Sequence, residues 1–252
     1  GSYQQREAIA HSLDDLLAEC GTTYAVALCP LDGQKALLET TANLDGQPLR
    51  ATDGTEVTGT MFSGYLTAAL YKLGEMRSDQ LTTAGEALAG NQVAIDEIAS
   101  SMSSGGEAVG ASGMLVRCLS APLNTNLVGV YHYIETQGLP ELLGGPEVSD
   151  ATVGPYLNLT CEAHPDRGED HLNFSNTSDS TMMVFGVTGD HATPYAGAVQ
   201  MVEELGNARL VTVEGAGHIA TFTRGSACAD QIATEFFVQG TIPAEGTVCT
   251  DG

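Results

Sequence analysis

The sequence predicts an α/β chain with parallel strands near its carboxyl end and a helical amino-terminal part. Three observations predict this. Two apolar runs, Met182 to Val187 and Leu210 to Val213, flank a segment with helical periodicity. Each run ends in a glycine-bearing loop with an ionisable side chain, Asp190 in the first and His218 in the second. The first hundred residues place apolar side chains at helical spacing and show little alternation.

The segment from Met182 to His218 reads as strand, loop, helix, strand, loop. Ala198, Val199, Val202 and Leu205 share one helical face, and Gly206 marks the stop. Thr193 is expected to cap this helix through its hydroxyl, with Pro194 at the first helical position. A βαβ unit of this kind sets two parallel strands together through a right-handed crossover. Asp190 and His218 then lie just past the carboxyl ends of their strands, the edge where open α/β sheets place their chemistry. Gly215 and Gly217 permit a tight backbone just before His218. A carboxylate that accepts the Nδ1 proton of a histidine fixes its tautomer and leaves Nε2 to act as a base. Asp190 and His218 are therefore the candidate catalytic residues.

The remaining elements follow in order. Residues 4–19 read as a helix with Ile9, Leu13, Leu16 and Leu17 on one face. Cys20 and Cys29 bracket a short loop. Residues 45–58 are polar, with Asp45-Gly46 and Asp53-Gly54 as turn signals. Met61, Tyr65, Leu66, Leu70 and Leu73 mark a second helix. Ser78 is placed to cap a third, which holds Leu81 and Leu88. A fourth runs over about 91–102 with Val93, Ile98 and Met102, and residues 101–106 read as a loop. Residues 114–118 read as a short strand or buried segment, and 119–180 as irregular chain rich in Gly, Pro, Asn and Asp. Ser226 is placed to cap a last helix carrying Ile232, Phe236 and Phe237, with Gly240 as its stop. The expected organisation is a helical cap over 1–110, a connector over 111–180 and a βα segment over 181–252. The helical part also reads, alternatively, as an independent small bundle.

The 252 residues are enough for one or two domains, and the 42% hydrophobic content is that of a globular protein. The formal net charge of −23, with Lys35 and Lys72 as the lysines, disfavours nucleic acid and anionic membranes. It suits solubility, and it suits attraction of cationic groups such as free peptide amino termini. No apolar stretch approaches the ~20 residues of a membrane span. The six cysteines, at 20, 29, 118, 161, 228 and 249, include no Cys-x-x-Cys. Zinc and thioredoxin-type chemistry are therefore not expected. His164 to His171 gathers two histidines and three acids, but a proline and a glycine interrupt the run, which reads as a solvated loop. No cofactor and no metal are expected. His191 reads as a rim residue, and His11 and His132 have no partner legible in sequence. Asn158, Asn173 and Asn176 open glycosylation sequons, which matter only in a eukaryotic secretory host.

Gly189-Asp190-x-x-Thr193-Pro194, then Gly215-x-Gly217-His218, then Cys228 and Gly240-x-x-Pro243 with Cys249, resembles the C-terminal region of the tripeptidyl-aminopeptidase-like α/β-hydrolases. The likeness is strong over about 180–252 and weaker before it, where that family carries a helical lid. The resemblance implies a partial α/β-hydrolase fold with a cap, in a secreted, actinobacterial serine peptidase or esterase. It implies sequential disulfides, Cys20–Cys29, Cys118–Cys161 and Cys228–Cys249, and hence an extracellular location. It implies a peptide or small ester substrate cut near a free N-terminus. An acid such as Glu56, Glu75, Asp79, Glu86, Asp96 or Glu97 could face the substrate amine, although each also reads as a solvated helix position. The family's serine sits in a Gly-x-Ser-x-Gly elbow, which this sequence lacks. The nearest strings surround Ser63 and Ser112. The chain therefore reads as the lid and C-terminal catalytic segment of a hydrolase, inactive alone. Its expected partner is the missing N-terminal half, with self-association through an exposed sheet edge as the substitute. The alternative is a non-catalytic extracellular binding module derived from such a hydrolase.

Overall fold

The computed structural model describes residues 2–22, 29–105, 118–119, 179–222 and 226–250. The chain divides into two compact units, one of residues 1–12 with 172–252 and one of residues 13–171.

The first unit is built on a three-stranded parallel sheet. Its strands are β3 (Met182–Gly189), β4 (Ala208–Ala216) and β5 (Thr247–Cys249), in the spatial order β3-β4-β5. Successive side chains of a strand point to opposite faces, and the sequence uses both. Val187, Val211, Val213 and Cys249 share one face and form the core with Ala220 and Ala229. Ala229 belongs to helix α7 (Ala227–Gln239), so α7 covers that face. On the other face lies helix α6 (Tyr195–Leu205), whose Tyr195 hydroxyl reaches Thr212 Oγ1 at 2.7 Å. A Cβ added at Gly186 would meet Ala198 Cβ at 2.9 Å, so a residue without a side chain lets α6 lie against the strand. Ala198, Val199, Val202 and Leu205 are all half-buried, as one helical face should be.

Helix ends follow local chemistry. Ser226 accepts a hydrogen bond from Ala229 N at 3.1 Å and caps α7. Gly206 and Gly240 end α6 and α7 in left-handed backbone. Thr193 does not cap α6. Pro194 takes that position, and the Thr193 hydroxyl turns to Asp190 instead. There it donates to a carboxylate, and this charge-assisted bond is stronger than the neutral bond that a capping hydroxyl accepts from helix amides. The tail after Gly240 does more than return Cys249 to Cys228. It adds β5 to the sheet, pairing Val211 with Thr247 and Val213 with Cys249. Three residues are too few to show a strand period in sequence. Cys228 and Cys249 are bonded, with Cα atoms 5.6 Å apart, and tie α7 to β5.

The second unit is helical. Its elements are the end of α1 (Ser2–Ala18, of which residues 2–12 belong to the other unit), α2 (Gly33–Gly46), α3 (Gly59–Ala69), α4 (Gly74–Leu88) and α5 (Gln92–Gly105). A small antiparallel hairpin joins α2 to α3 through β1 (Leu49–Arg50) and β2 (Glu56–Val57). Helix α2 is absent from the sequence reading, because Thr40 and Thr41 dilute its apolar pattern. Helix α5 continues through 101–105, which the sequence reads as loop. Helix α4 starts at Gly74, so Ser78 lies inside it and its hydroxyl turns back to Gly74 O at 3.5 Å. The earlier start is anchored by Arg77. Its Nε and Nη2 donate to Ala69 O and Leu70 O at 3.1 Å each, closing the carboxyl end of α3. Cys20 and Cys29 are bonded, with Cα atoms 5.8 Å apart. Cys118 is also disulfide-bonded, and Cys161 lies outside the described residues. The expected boundary near 110 and the connector lie largely outside them too. Among the described residues, no helix is long and apolar enough to cross a membrane.

The carboxyl ends of β3 and β4 approach closely at Gly189. A Cβ there would sit 2.8 Å from Gly215 O and 3.0 Å from Ala216 Cα. Gly189→Ala should force these backbones apart and cost about 1–3 kcal/mol, as overpacking does. Urea unfolding followed by circular dichroism measures it, and an unchanged midpoint would contradict the close approach.

Candidate functional site

The site is made by an irregularity at the end of the β3–β4 ladder. The register holds from Met182↔Ala208 to Val187↔Val213, then shifts so that Gly189 faces Ala216. One extra residue has entered β4. Such a bulge bends its strand and re-aims the following side chains. Gly215 (φ 144°) and Gly217 (φ 117°) supply the backbone angles this needs. The Thr188 hydroxyl holds the bulge, accepting from Gly215 N at 3.1 Å and donating to Gly215 O at 3.3 Å. Gly217 N donates to Gly189 O at 3.1 Å and closes the strand ends together. The next residue is His218.

Opposite it, Asp190 is buried, with 6% of its surface exposed. Its Oδ1 accepts from Ala192 N and Thr193 N, both at 2.8 Å, in a tight side-chain turn. Its Oδ2 accepts from the Thr193 hydroxyl at 2.8 Å. His218 Nδ1 lies 3.2 Å from Oδ1 and 3.1 Å from Oδ2. Burial pushes the Asp190 carboxyl upward. The bonds from the Thr193 amide and hydroxyl, from His218 and from the Ala192 amide overcome this and hold it below the usual carboxylate range. The loop is tethered from behind by Gln5 in the first turns of α1, whose Nε2 donates to Ala192 O at 2.7 Å.

The structure thus brings together the two residues singled out in the sequence, at hydrogen-bond distance. A carboxylate on Nδ1 leaves Nε2, across the ring, as the nitrogen for proton transfer, and His218 is 30% exposed in its side chain. His191 is not a rim residue. It is 1% exposed, because the turn over Ala192 and Thr193 carries it inward, and its ring meets His218 edge-on at 6.3 Å. Ile219 follows in left-handed backbone (φ 71°), a conformation that a β-branched residue keeps only where its surroundings impose it. Sequence reading missed the roles of Thr188 and Thr193. The spacing Asp190-x-x-Thr193 carried a signal, since a short acidic side chain bonds backbone amides two and three residues on.

The other candidates are placed as follows. Ser63 sits within α3 and donates to Thr60 O at 3.1 Å, not on a turn between strand and helix. Ser112, His132, His164, His171, Asn158, Asn173 and Asn176 lie outside the described residues. Asp96 binds Thr52 N and Thr52 Oγ1 at 2.7 Å each, Glu56 pairs with Arg50 at 2.6 Å, and Glu86 takes Asn91 Nδ2 at 2.9 Å. Glu97 lies 3.5 Å from the Tyr65 hydroxyl, while Glu75 and Asp79 are exposed. Among the described residues, no group of three His, Cys, Asp or Glu side chains is arranged to hold a metal ion.

Parallel strands covered by α6 and α7, with an acid and a histidine at adjacent carboxyl ends, make this segment the C-terminal part of an α/β-hydrolase fold. The family described as TAP-like protein matches residues 151–249. The chain is also similar to carboxylesterase B of Mycobacterium tuberculosis, in strains H37Rv and CDC 1551, and to a protein of Mycobacterium bovis named as a hydrolase. Each is 37% identical over 68 residues, which is 27% of this chain and 13% of the relative.

The lowered Asp190 carboxyl makes stability depend on pH. A group whose folded value lies below its unfolded one stabilises the fold above the unfolded value, and that contribution fades as pH falls through the folded value. The difference in urea midpoint between the parent chain and Asp190→Asn should therefore be full near pH 6 and shrink below about pH 4. A difference that stays constant down to pH 2.5 would contradict the ionised, hydrogen-bonded carboxylate.

Proposed function

We propose that this chain supplies the acid and the base of a serine hydrolase that cuts short peptides from free N-termini. The single observation behind this reading is the Asp190 carboxylate on Nδ1 of His218, at adjacent strand ends. The serine comes from a segment outside these 252 residues. His218 Nε2 takes the proton of that hydroxyl as its oxygen attacks the substrate carbonyl. It then returns the proton to the departing amine or alcohol. Water repeats the sequence on the ester intermediate and releases the acid. Asp190 holds the imidazole in register and stabilises the imidazolium that forms.

The helical unit acts as the lid, and the net charge of −23 favours a protonated amino terminus over an acidic substrate. Simple esters are the second substrate class, supported by the carboxylesterase among the relatives. The Cys20–Cys29 and Cys228–Cys249 bonds support an oxidising, extracellular location. On the same reading, the outer edge of β3 receives the rest of the hydrolase sheet, or a second copy in its absence.

The test is an assay of the purified chain on tripeptide amides with free N-termini and on p-nitrophenyl esters. The chain alone should show no turnover that depends on His218. In a polypeptide that includes the serine segment, His218→Ala should lower kcat/KM by roughly 10⁴-fold or more. Turnover of the longer polypeptide that survives His218→Ala would sink the reading. Turnover of the chain alone, lost both with His218→Ala and with a fluorophosphonate, would place the nucleophile within it and overturn the external serine.

A further inference from the structure

We propose that Thr193 is a positioning residue of this site, whose hydroxyl locks His218 in the tautomer with the proton on Nδ1. The inference rests on the Asp190–His218 reading and extends it to a third side chain.

Asp190 Oδ1 is held by two backbone amides, Ala192 N and Thr193 N. Oδ2 takes the Thr193 hydroxyl at 2.8 Å. Both oxygens are thereby fixed, and the carboxylate cannot rotate about its last side-chain bond without breaking a charged hydrogen bond. The edge it presents to His218 is nearly symmetric, with Nδ1 at 3.2 and 3.1 Å from the two oxygens.

The same hydroxyl oxygen lies 3.4 Å from Nδ1. A threonine hydroxyl has one proton, and here it is committed to Oδ2. What the oxygen can offer to Nδ1 is a lone pair. Nδ1 therefore faces two carboxylate oxygens and one hydroxyl oxygen, all of them acceptors. A deprotonated Nδ1 in that position would set its own lone pair against three others. The arrangement favours the proton on Nδ1 and the basic lone pair on Nε2, where the reaction needs it. Thr193 is exposed and lies outside the core of the sheet, so a change to its hydroxyl acts on the pair and not on packing. The titratable group bonded to the carboxylate is His218, whose ring meets that of the buried His191.

The test compares Thr193→Val with Thr193→Ser in the full chain, by NMR of labelled protein. The side-chain carbon of Asp190 reports its titration, and the two ring nitrogens of His218 report the tautomer. Thr193→Val should raise the Asp190 midpoint by about half a pH unit or more, the loss of one hydrogen bond to a charged group less its exposure to solvent. It should also move part of the neutral His218 population to the other tautomer. Thr193→Ser, which keeps the hydroxyl, should restore both signals. Thr193→Ala serves equally if the valine variant does not fold, since circular dichroism identifies that case first. Parent-like titration and tautomer in the valine or alanine variant would overturn the proposal. So would a serine variant that behaves like valine. These readouts need no turnover. A hydrolase that works without His218 would remove the catalytic reading and leave the role of Thr193 on the pair intact.

Discussion

The parallel ladder between β3 and β4 sets the position of everything else in the sheet unit. It aligns six residue pairs in constant register and then gains one residue on β4. Had the register continued, the residues after Val213 would have kept their alternation, and the side chains beyond the strand end would face the other way. The bulge shifts that parity just before His218. Its cost is the loss of regular pairing at Glu214 and Gly215, met locally by the Thr188 hydroxyl. The contact between Asp190 and His218 is thus a property of the ladder, the bulge and a close approach at Gly189, and not of the two residues alone.

Around that contact the polar groups are arranged in successive layers. Two amides, a threonine hydroxyl and an imidazole all converge on a carboxylate that is otherwise shut off from water. Burial of a charge is costly unless each of its lone pairs is met. Here the loop that follows Asp190 folds back to meet them. That same fold buries His191 and leads into Pro194, from which α6 starts. One turn of chain therefore solvates the acid, packs a second ring against the first and sets the entry angle of a helix.

The sheet unit was largely legible in the sequence because its signals were local. The apolar runs of β3 and β4, the face of α6 and the glycine stops each sit within a few residues of one another. Asp190 and His218 were legible because each follows directly on a strand. Thr193 reads as a helix cap in sequence, which shows that helix amides are near its hydroxyl and not that a carboxylate will orient that hydroxyl as a donor. His191 was misplaced for a related reason: its burial comes from a turn made by its neighbour's side chain. Strand β5 escaped notice because three residues carry no period, and α2 because its threonines blur the helical stripe. The early start of α4 depends on Arg77 reaching the end of another helix, a contact with no trace in local sequence.

Strand β5 carries a consequence for how the protein behaves in a reducing solution. It is three residues long, and among the described residues it is the outer strand on its side of the sheet. So short a border offers a neighbouring molecule few unpaired backbone groups on which to build an intermolecular sheet. Its covalent hold on the protein is the bond from Cys249 to Cys228, beside a short ladder to β4. If that bond is cut, the tail after Gly240 keeps only the ladder, the packing of Cys249 in the core and the exposed ion pair of Glu245 with Arg209. Its departure would open the much longer edge of β4, with Val211 and Val213 behind it, to other chains. The disulfide then acts as a guard against aggregation as well as a brace for the fold.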